Sequence, residues 1–120
     1  MKFPGVLSQI SVPPIELRGV DDPLLAERFV DRLKARLLDM QRELGEDEQL
    51  EVTAFLPSGK AITVESVGYE NPALVILHGI EQEIGRECTL LMHQSSLQIL
   101  VAIDNIPQGQ TRRVVTFRAR

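Results

Sequence analysis

The stretch Leu50–Val64, LEVTAFLPSGKAITV, decides the fold of this chain. Up to Ala54 it alternates apolar and polar residues, the pattern of a strand with one covered and one wet face. The turn composition Pro57-Ser58-Gly59-Lys60 comes next, and a β-branched run follows it. Gly and Ser in such a short connection favour a tight hairpin. The stretch therefore predicts two adjacent antiparallel strands.

Further strands are predicted wherever a run rich in Val, Ile, Leu or Thr ends at Gly, Pro, Asn or a charge cluster. The predicted strands cover residues 50–56, 60–67, 73–78, 87–93 and 97–103, with a sixth candidate at 113–118. Leu74–Leu77 and Ile99–Ile103 are apolar without interruption, so both of their faces should be covered by the helix, by barrel closure or by another subunit. Gly68 is predicted to mark a sharp bend in the second strand.

Upstream of the strands, residues 22–44 are predicted to form one long helix. Asp22 suits the N-cap, Pro23 the first helical position, and Gly45 a left-handed C-cap. Apolar residues recur at alternating intervals of four and three, and others widen the stripe. The stripe comprises Ala26, Val30, Leu33, Leu37, Met40 and Leu44, widened by Leu25, Phe29 and Leu38. A coiled coil of three heptads is one interpretation, but a wide stripe favours a helix packed across the end or face of a sheet.

Three arginines, Arg28, Arg32 and Arg36, form a row on this helix. Such a row is one way to build a phosphate-binding ridge. Asp31 and Asp39 lie three residues after the first and last of them, close enough to form ion pairs. We therefore favour a solvated, ion-paired face.

Composition places the chain among ordinary globular proteins. It has 120 residues, of which 43% are apolar and 25% charged, which fits one domain. Its single cysteine, Cys88, excludes an internal disulfide and fits a reducing compartment. No apolar run approaches the roughly 20 residues of a membrane span. Pro13-Pro14 interrupts the only candidate apolar run near the start, so a signal peptide is not expected. A cytoplasmic protein is expected, with residues 1–20 as an extended arm in which Ser8–Val12 is a candidate edge strand.

The charges are unevenly distributed along the chain. Residues 46–104 hold ten acidic residues against two basic ones, a net charge of −8, whereas residues 105–120 hold four arginines and no acid. Non-specific nucleic-acid affinity comes mainly from clustered Lys and Arg. A body that binds nucleic acid would therefore be basic, whereas this one is acidic. The basic tail can contact a polyanion, but we favour its pairing with the acidic body of its own or a neighbouring chain.

A further pattern in residues 66–115 consists of Gly68-Tyr69, Pro72, Gly79, Gly85, His93, Ser95, Leu97, Leu100-Val101-Ala102 and Arg112-Arg113-Val114. In these residues the chain resembles a bacterial Sm-like family without an assigned biochemical role. The resemblance implies an α+β fold, in which a long N-terminal helix precedes a five-stranded, strongly bent antiparallel barrel. It would span residues 21–104, followed by a basic tail at 105–120. It also implies a homo-oligomer, a ring or dimer built through edge strands and the helix.

RNA binding is the alternative that the resemblance raises. RNA-binding Sm proteins usually carry an Asp and an Asn around the turn after the second strand, and only Asn71 is a candidate here. The Arg-Gly signature is absent, and in the bacterial Lys-His variant Met92 stands where the lysine would be. In this alternative Tyr69 stacks a base, Asn71 and His93 line a pore or turn site, and Arg112 and Arg113 contact phosphates.

His93 has two interpretations: it faces a pore or cleft, or it bonds local backbone in a turn. An enzyme built on His93 and Ser95 is the least favoured function, because no nucleophile elbow surrounds the serines. The turn at residues 57–60 lacks the glycine spacing of a phosphate loop. Glu81, Glu83 and Glu87 are interpreted as loop residues that aid solubility rather than as acid–base carboxylates.

A metal site at Cys88, His78 and His93 is not expected. The predicted strand pairing sets His78 opposite Glu87 and Cys88 opposite Leu77 on the other face, where Cys88 fills apolar space. Zinc needs four convergent ligands, which this arrangement lacks. No cofactor is expected either, and the favoured function is a non-enzymatic, self-assembling binding or scaffolding module.

Overall fold

The computed structural model describes residues 22–118, in which one helix precedes a mainly antiparallel sheet. The elements are α1 (Leu25–Arg42), β1 (Glu48–Phe55), β2 (Ala61–Glu70), β3 (Leu74–Glu81), β4 (Arg86–His93), β5 (Ile99–Asn105) and β6 (Thr116–Phe117). A short 3₁₀ turn, Gln94–Ser96, joins β4 to β5. The predicted α+β class and the order of one helix followed by five strands are confirmed. The predicted arm at residues 1–20, with its candidate strand Ser8–Val12, lies outside the described residues.

The sheet is open, with the strand order β4-β3-β2-β1-β5. The predicted hairpin is present, since Thr53 of β1 lies opposite Thr63 of β2. In its turn Gly59 has a φ of +93°, the left-handed region that glycine tolerates without strain. The backbone N–H of Leu56 donates to the Lys60 carbonyl oxygen at 2.9 Å and closes the hairpin.

Strand β2 changes its partner along its length. Its first residues pair with the end of β1, and after a register irregularity between Val64 and Ser66 it pairs in parallel with β6. Of the sixth candidate strand, residues 113–118, only the two residues of β6 form a strand. The register irregularity lies between Val64 and Ser66, whereas the bend at Gly68 stays a prediction; an added Cβ at Gly68 would meet its nearest neighbours at an ordinary 3.9 Å. The C-terminal segment thus pairs with β2 at Ser66 and Val67, beyond the residues of β2 that pair with β1.

Helix α1 packs its apolar stripe on the sheet of its own chain. Ala26, Val30 and Leu37 are buried, and other members of the stripe are half-buried against the same core. The sheet contributes the largest fully buried side chains, Val52, Val64, Val67, Val75 and Leu77. Each such side chain contributes roughly 1.5–3 kcal/mol relative to an exposed one. The packed-helix interpretation therefore describes this chain better than the coiled coil.

Both predicted helix caps are wrong. The helix begins at Leu25, and Asp22 accepts a hydrogen bond from the N–H of Leu24 at 2.9 Å in the turn that precedes it. At the other end the C-cap residue is Glu43, with a φ of −94°. Gly45 does not adopt the positive φ of a left-handed C-cap. After Leu25, the next two N–H groups of the helix, those of Ala26 and Glu27, are bound by the β2–β3 turn.

The pairing of β3 with β4 differs from the prediction by two residues. His78 lies opposite Thr89, and Cys88 lies opposite Gly79. A slip of two keeps each side chain on its predicted face, because the side-chain period of a strand is two. Cys88 is half-buried rather than a fully buried apolar filler.

The ion pairs of α1 also differ from those predicted. Arg28 pairs with Asp22 at 3.1 Å, and Asp39 pairs with Arg42 at 2.7 Å. Among residues 22–118, Arg32 and Arg36 therefore have no carboxylate oxygen within 4.0 Å. Over the same residues, no helix combines the length and apolar character that a membrane span requires.

Candidate functional site

The turn between β2 and β3 and the end of β4 together form an open cleft. It is lined by Glu70, Asn71, Pro72, Ala73, Leu74 and His93. Leu74 lies opposite His93 in the β3–β4 register, and the N–H of Gln94 donates to the Ala73 carbonyl oxygen at 2.8 Å. Two of the five predicted site residues, Asn71 and His93, thus line the same cleft.

Both the oxygen and the nitrogen of the Asn71 side-chain amide form hydrogen bonds with helix α1. Its Oδ1 accepts the backbone N–H of Glu27 at 3.2 Å, and its Nδ2 donates to Glu27 Oε1 at 3.1 Å. Beside it, the Pro72 carbonyl oxygen accepts the N–H of Ala26 at 2.7 Å. The turn therefore supplies partners for helix N–H groups that have none within the helix. Asn71 would have to share or release these contacts to bind a ligand.

His93 combines the two roles considered for it. Its Nδ1 accepts the backbone N–H of Ser95 at 3.1 Å and lies 2.8 Å from Ser95 Oγ. Because a backbone N–H can only donate, Nδ1 is the acceptor, and in the neutral ring Nε2 carries the proton. Within residues 22–118 Nε2 has no hydrogen-bond partner, and the side chain is exposed. His93 can therefore present one N–H donor to a carbonyl or carboxylate in the cleft.

Tyr69 is not brought into the cleft. It lies opposite Val75 in the β2–β3 pairing, where it is half-buried and packs against the hydrophobic core. Val75 is fully buried, so Tyr69 shares its inward face. Its neighbours along the strand point the other way, since side chains alternate between the faces of a sheet.

Arg112 and Arg113 make different contacts. The half-buried guanidinium of Arg112 donates from Nε to the Glu48 carbonyl oxygen at 2.9 Å and from Nη2 to the Gly45 carbonyl oxygen at 2.7 Å. Arg113 is held by its backbone N–H, which donates to the buried Oε1 of Gln49 at 2.8 Å, and its side chain is exposed. Within residues 22–118, the tail thus binds its own body through amide and carbonyl groups rather than carboxylates.

Glu81 is a buried polar residue that the sequence interpretation missed. It ends β3 with a side chain 8% exposed, 3.1 Å from Arg86 and 3.4 Å from Lys60. The interpretation as a loop residue that aids solubility is wrong for Glu81. The sequence contained one indication of this pairing, because Lys60 and Arg86 are the only Lys or Arg residues in positions 46–104. This carboxylate is neutralised by structural partners and does not face the cleft.

A second polar depression lies beside β3 and β4. His78 Nδ1 lies 2.9 Å from Thr89 Oγ1, with Glu65, Glu87 and Cys88 nearby in the same depression. Even so, the part of the chain from 22 to 118 holds no group of three His, Cys, Asp or Glu side chains able to bind a metal ion. The depression therefore has no metal-binding geometry.

The two outer edges of the sheet carry exposed apolar side chains. Leu91 of β4 is 59% exposed, and Leu100 and Ile103 of β5 are 54% and 61% exposed. Across residues 22–118, neither β4 nor β5 has a second strand partner. Each edge thus presents unpaired backbone groups together with apolar surface. Comparisons of this chain with family models, curated proteins and solved structures returned no match.

Proposed function

We propose that this chain is a non-enzymatic, self-assembling binding or scaffolding module of the Sm-like type. The observation that carries the proposal is the pair of apolar sheet edges, β4 and β5, which have no second strand partner among residues 22–118. The order of one helix and five strands, the change of partner along β2 and the resemblance of residues 66–115 to Sm-like proteins support it. In the proposed assembly, the open edges of the sheet pair between neighbouring copies.

The two edges suit a head-to-tail contact. β4 has eight residues and β5 has seven, so either can pair over most of its length with the other strand of a neighbour. Because β4 and β5 are different strands, their pairing is heterologous, and it produces a ring when the rotation between copies closes. The contact also pairs the outer-edge backbone groups of β5 along Ile99–Ile103, the uninterrupted apolar run.

Light scattering coupled to size-exclusion chromatography, at micromolar concentration, tests the assembly. We expect a mass of at least two 13.4 kDa chains. Ile103→Glu, at the β5 edge, should lower that mass. Ile84→Glu is the matched control, because Ile84 is equally exposed at 61% but lies in the β3–β4 turn. A monomeric wild type, or equal effects of the two substitutions, would contradict the proposal.

Single-stranded RNA is a second candidate partner, favoured by the cleft that Asn71 and His93 share. The exposed side chain of Arg113 is available for a phosphate, whereas Tyr69 and Arg112 would have to leave contacts within the chain. Gel-shift assays with U-rich and A-rich oligonucleotides should then show affinity that falls steeply with salt. His93→Ala should weaken binding and the control His78→Ala should not. The absence of any shift at low salt would remove this candidate.

A further inference from the structure

A small apolar cavity lies between α1, β1 and the C-terminal segment, away from the cleft at His93. Leu37, Leu50 and Val52 line it with buried side chains, and Val115 and Phe117 line it with half-buried ones. Its volume is about 120 Å³. An engineered apolar cavity of roughly 150 Å³ is dry and binds benzene, so this space suits one short alkyl group.

Two exposed cations, Lys34 and Arg113, also line this cavity. In the described part of the chain, neither has a carboxylate oxygen within 4.0 Å. The bond from the Arg113 backbone N–H to Gln49 holds the main chain beside the cavity and leaves the guanidinium available. A guanidinium matches the two oxygens of a carboxylate in a bidentate geometry. Apolar walls with two cations favour an anion that carries a short apolar chain.

We propose that this cavity binds a small aliphatic carboxylate. The alkyl chain lies among Leu37, Val52 and Phe117, and the carboxylate lies between Lys34 and Arg113. The alkyl chain takes the place of water against the apolar walls, which is the favourable part of binding. The two cations then select the charged head over an uncharged one. This site does not depend on assembly through β4 and β5.

Titration of the full-length, ¹⁵N-labelled chain followed by ¹H–¹⁵N NMR tests the proposal, with hexanoate, 1-hexanol and acetate as probes. Hexanoate should produce saturable shifts concentrated at the amides of Leu37, Val115 and Phe117. It should bind roughly tenfold more tightly than 1-hexanol, because each of two partly exposed charge contacts contributes a fewfold gain. Acetate, which lacks the chain, should bind more weakly than hexanoate. Absent or scattered shifts, or equal affinity for hexanoate and hexanol, would overturn the proposal.

Substitutions distinguish the effect of the two cavity cations on binding from the effect of positive charge elsewhere on the surface. Lys34→Gln and Arg113→Gln should each weaken hexanoate binding roughly threefold and leave hexanol binding unchanged. Arg36→Gln is the matched control, because Arg36 is exposed on the same helix but does not line the cavity. An equal loss in the Arg36 variant would contradict a specific site. Val115→Phe, with a dispersed NMR spectrum as evidence of folding, should fill the cavity and abolish binding of both alkyl probes.

Discussion

Asn71 and Glu27 join the β2–β3 turn to the start of α1 through two reciprocal hydrogen bonds. Asn71 accepts the backbone N–H of Glu27 and donates to its carboxylate. A capping box makes the same kind of exchange between residues three apart, whereas these two are 44 apart in the sequence. The residue at the N-cap position of α1 is the apolar Leu24, so a cap supplied by another element compensates for it.

Asn71→Ala should therefore lower the free energy of unfolding by about 1–2 kcal/mol, as the loss of a helix cap does. Urea unfolding followed by circular dichroism would show a lower midpoint with an unchanged slope. A double-mutant cycle with Glu27→Ala should give a coupling free energy of about 0.5–1.5 kcal/mol. Asn105→Ala is the control, since within residues 22–118 the Asn105 side chain forms no hydrogen bond. Equal effects at the two asparagines would show that the cap contributes nothing.

Gly79→Ala should be strongly destabilising, by about 3 kcal/mol or more, as severe overpacking is. A Cβ on Gly79 would overlap the backbone carbonyl oxygen of Thr63 and lie 2.9 Å from its carbonyl carbon. Gly68→Ala is the control, because its added Cβ meets only contacts at 3.9 Å or more, and it should change the free energy of unfolding by less than about 1 kcal/mol. Thermal unfolding of both variants provides the comparison. A Gly79 variant as stable as the Gly68 variant would exclude the close approach of β3 to β2.

Arg86→Ala should be more destabilising than Glu81→Gln. The first change leaves a carboxylate that is 8% exposed with only Lys60, at 3.4 Å, and we expect a loss of about 2 kcal/mol. The second leaves two cations whose side chains are 52% and 67% exposed and can return to water, with a loss of about 1 kcal/mol. Denaturant unfolding at neutral pH measures both losses.

Arg42→Ala is the control for this ion pair. Arg42 lies closer to its partner Asp39, at 2.7 Å, but both side chains are more than half exposed. Exposed pairs contribute little, so the loss should be below about 0.5 kcal/mol. A larger loss at Arg42 than at Arg86 would show that burial does not determine the strength of these pairs.

Arg112→Lys should loosen the C-terminal segment. A lysine cannot reproduce the fork by which Arg112 bonds the carbonyl oxygens of both Glu48 and Gly45, and we expect a loss of about 1 kcal/mol. Hydrogen exchange of the Arg118 amide, which donates to the Val67 carbonyl oxygen, should become faster. Arg113→Lys should leave that exchange rate unchanged, because Arg113 is held by its backbone. Equal rates in the wild type and the Arg112 variant would contradict the anchoring role.

The sequence was sufficient for features whose cause is local. The β1–β2 hairpin depends on alternation and a turn glycine within fifteen residues, and the structure contains it. The stripe of α1 likewise depends on the helical period, and its members Ala26, Val30 and Leu37 are buried. The predicted register of β3 with β4 was wrong by two residues. Alternation determines which face a side chain occupies but not which residue lies opposite.

The candidate site was predictable only in part. Asn71 and His93 were singled out, and they line one cleft. The contacts of these residues were not foreseen, because a side chain such as that of Asn71 can bond many backbone groups and only the packed chain selects one. The same reason explains the missed burial of Glu81, whose partners Lys60 and Arg86 belong to two different hairpins.

By itself, the sequence determined the class of the fold, the hairpin and the buried face of the helix, since neighbouring residues create those periodic patterns. The tertiary structure alone decided which groups meet across the chain: Asn71 with Glu27, Gln49 with Arg113, and β6 with β2. The physical reason is that apolar burial is non-directional and can be read from spacing, whereas hydrogen bonds and ion pairs act over about 3 Å between particular atoms. Those positions exist only once α1 and the sheet have packed together.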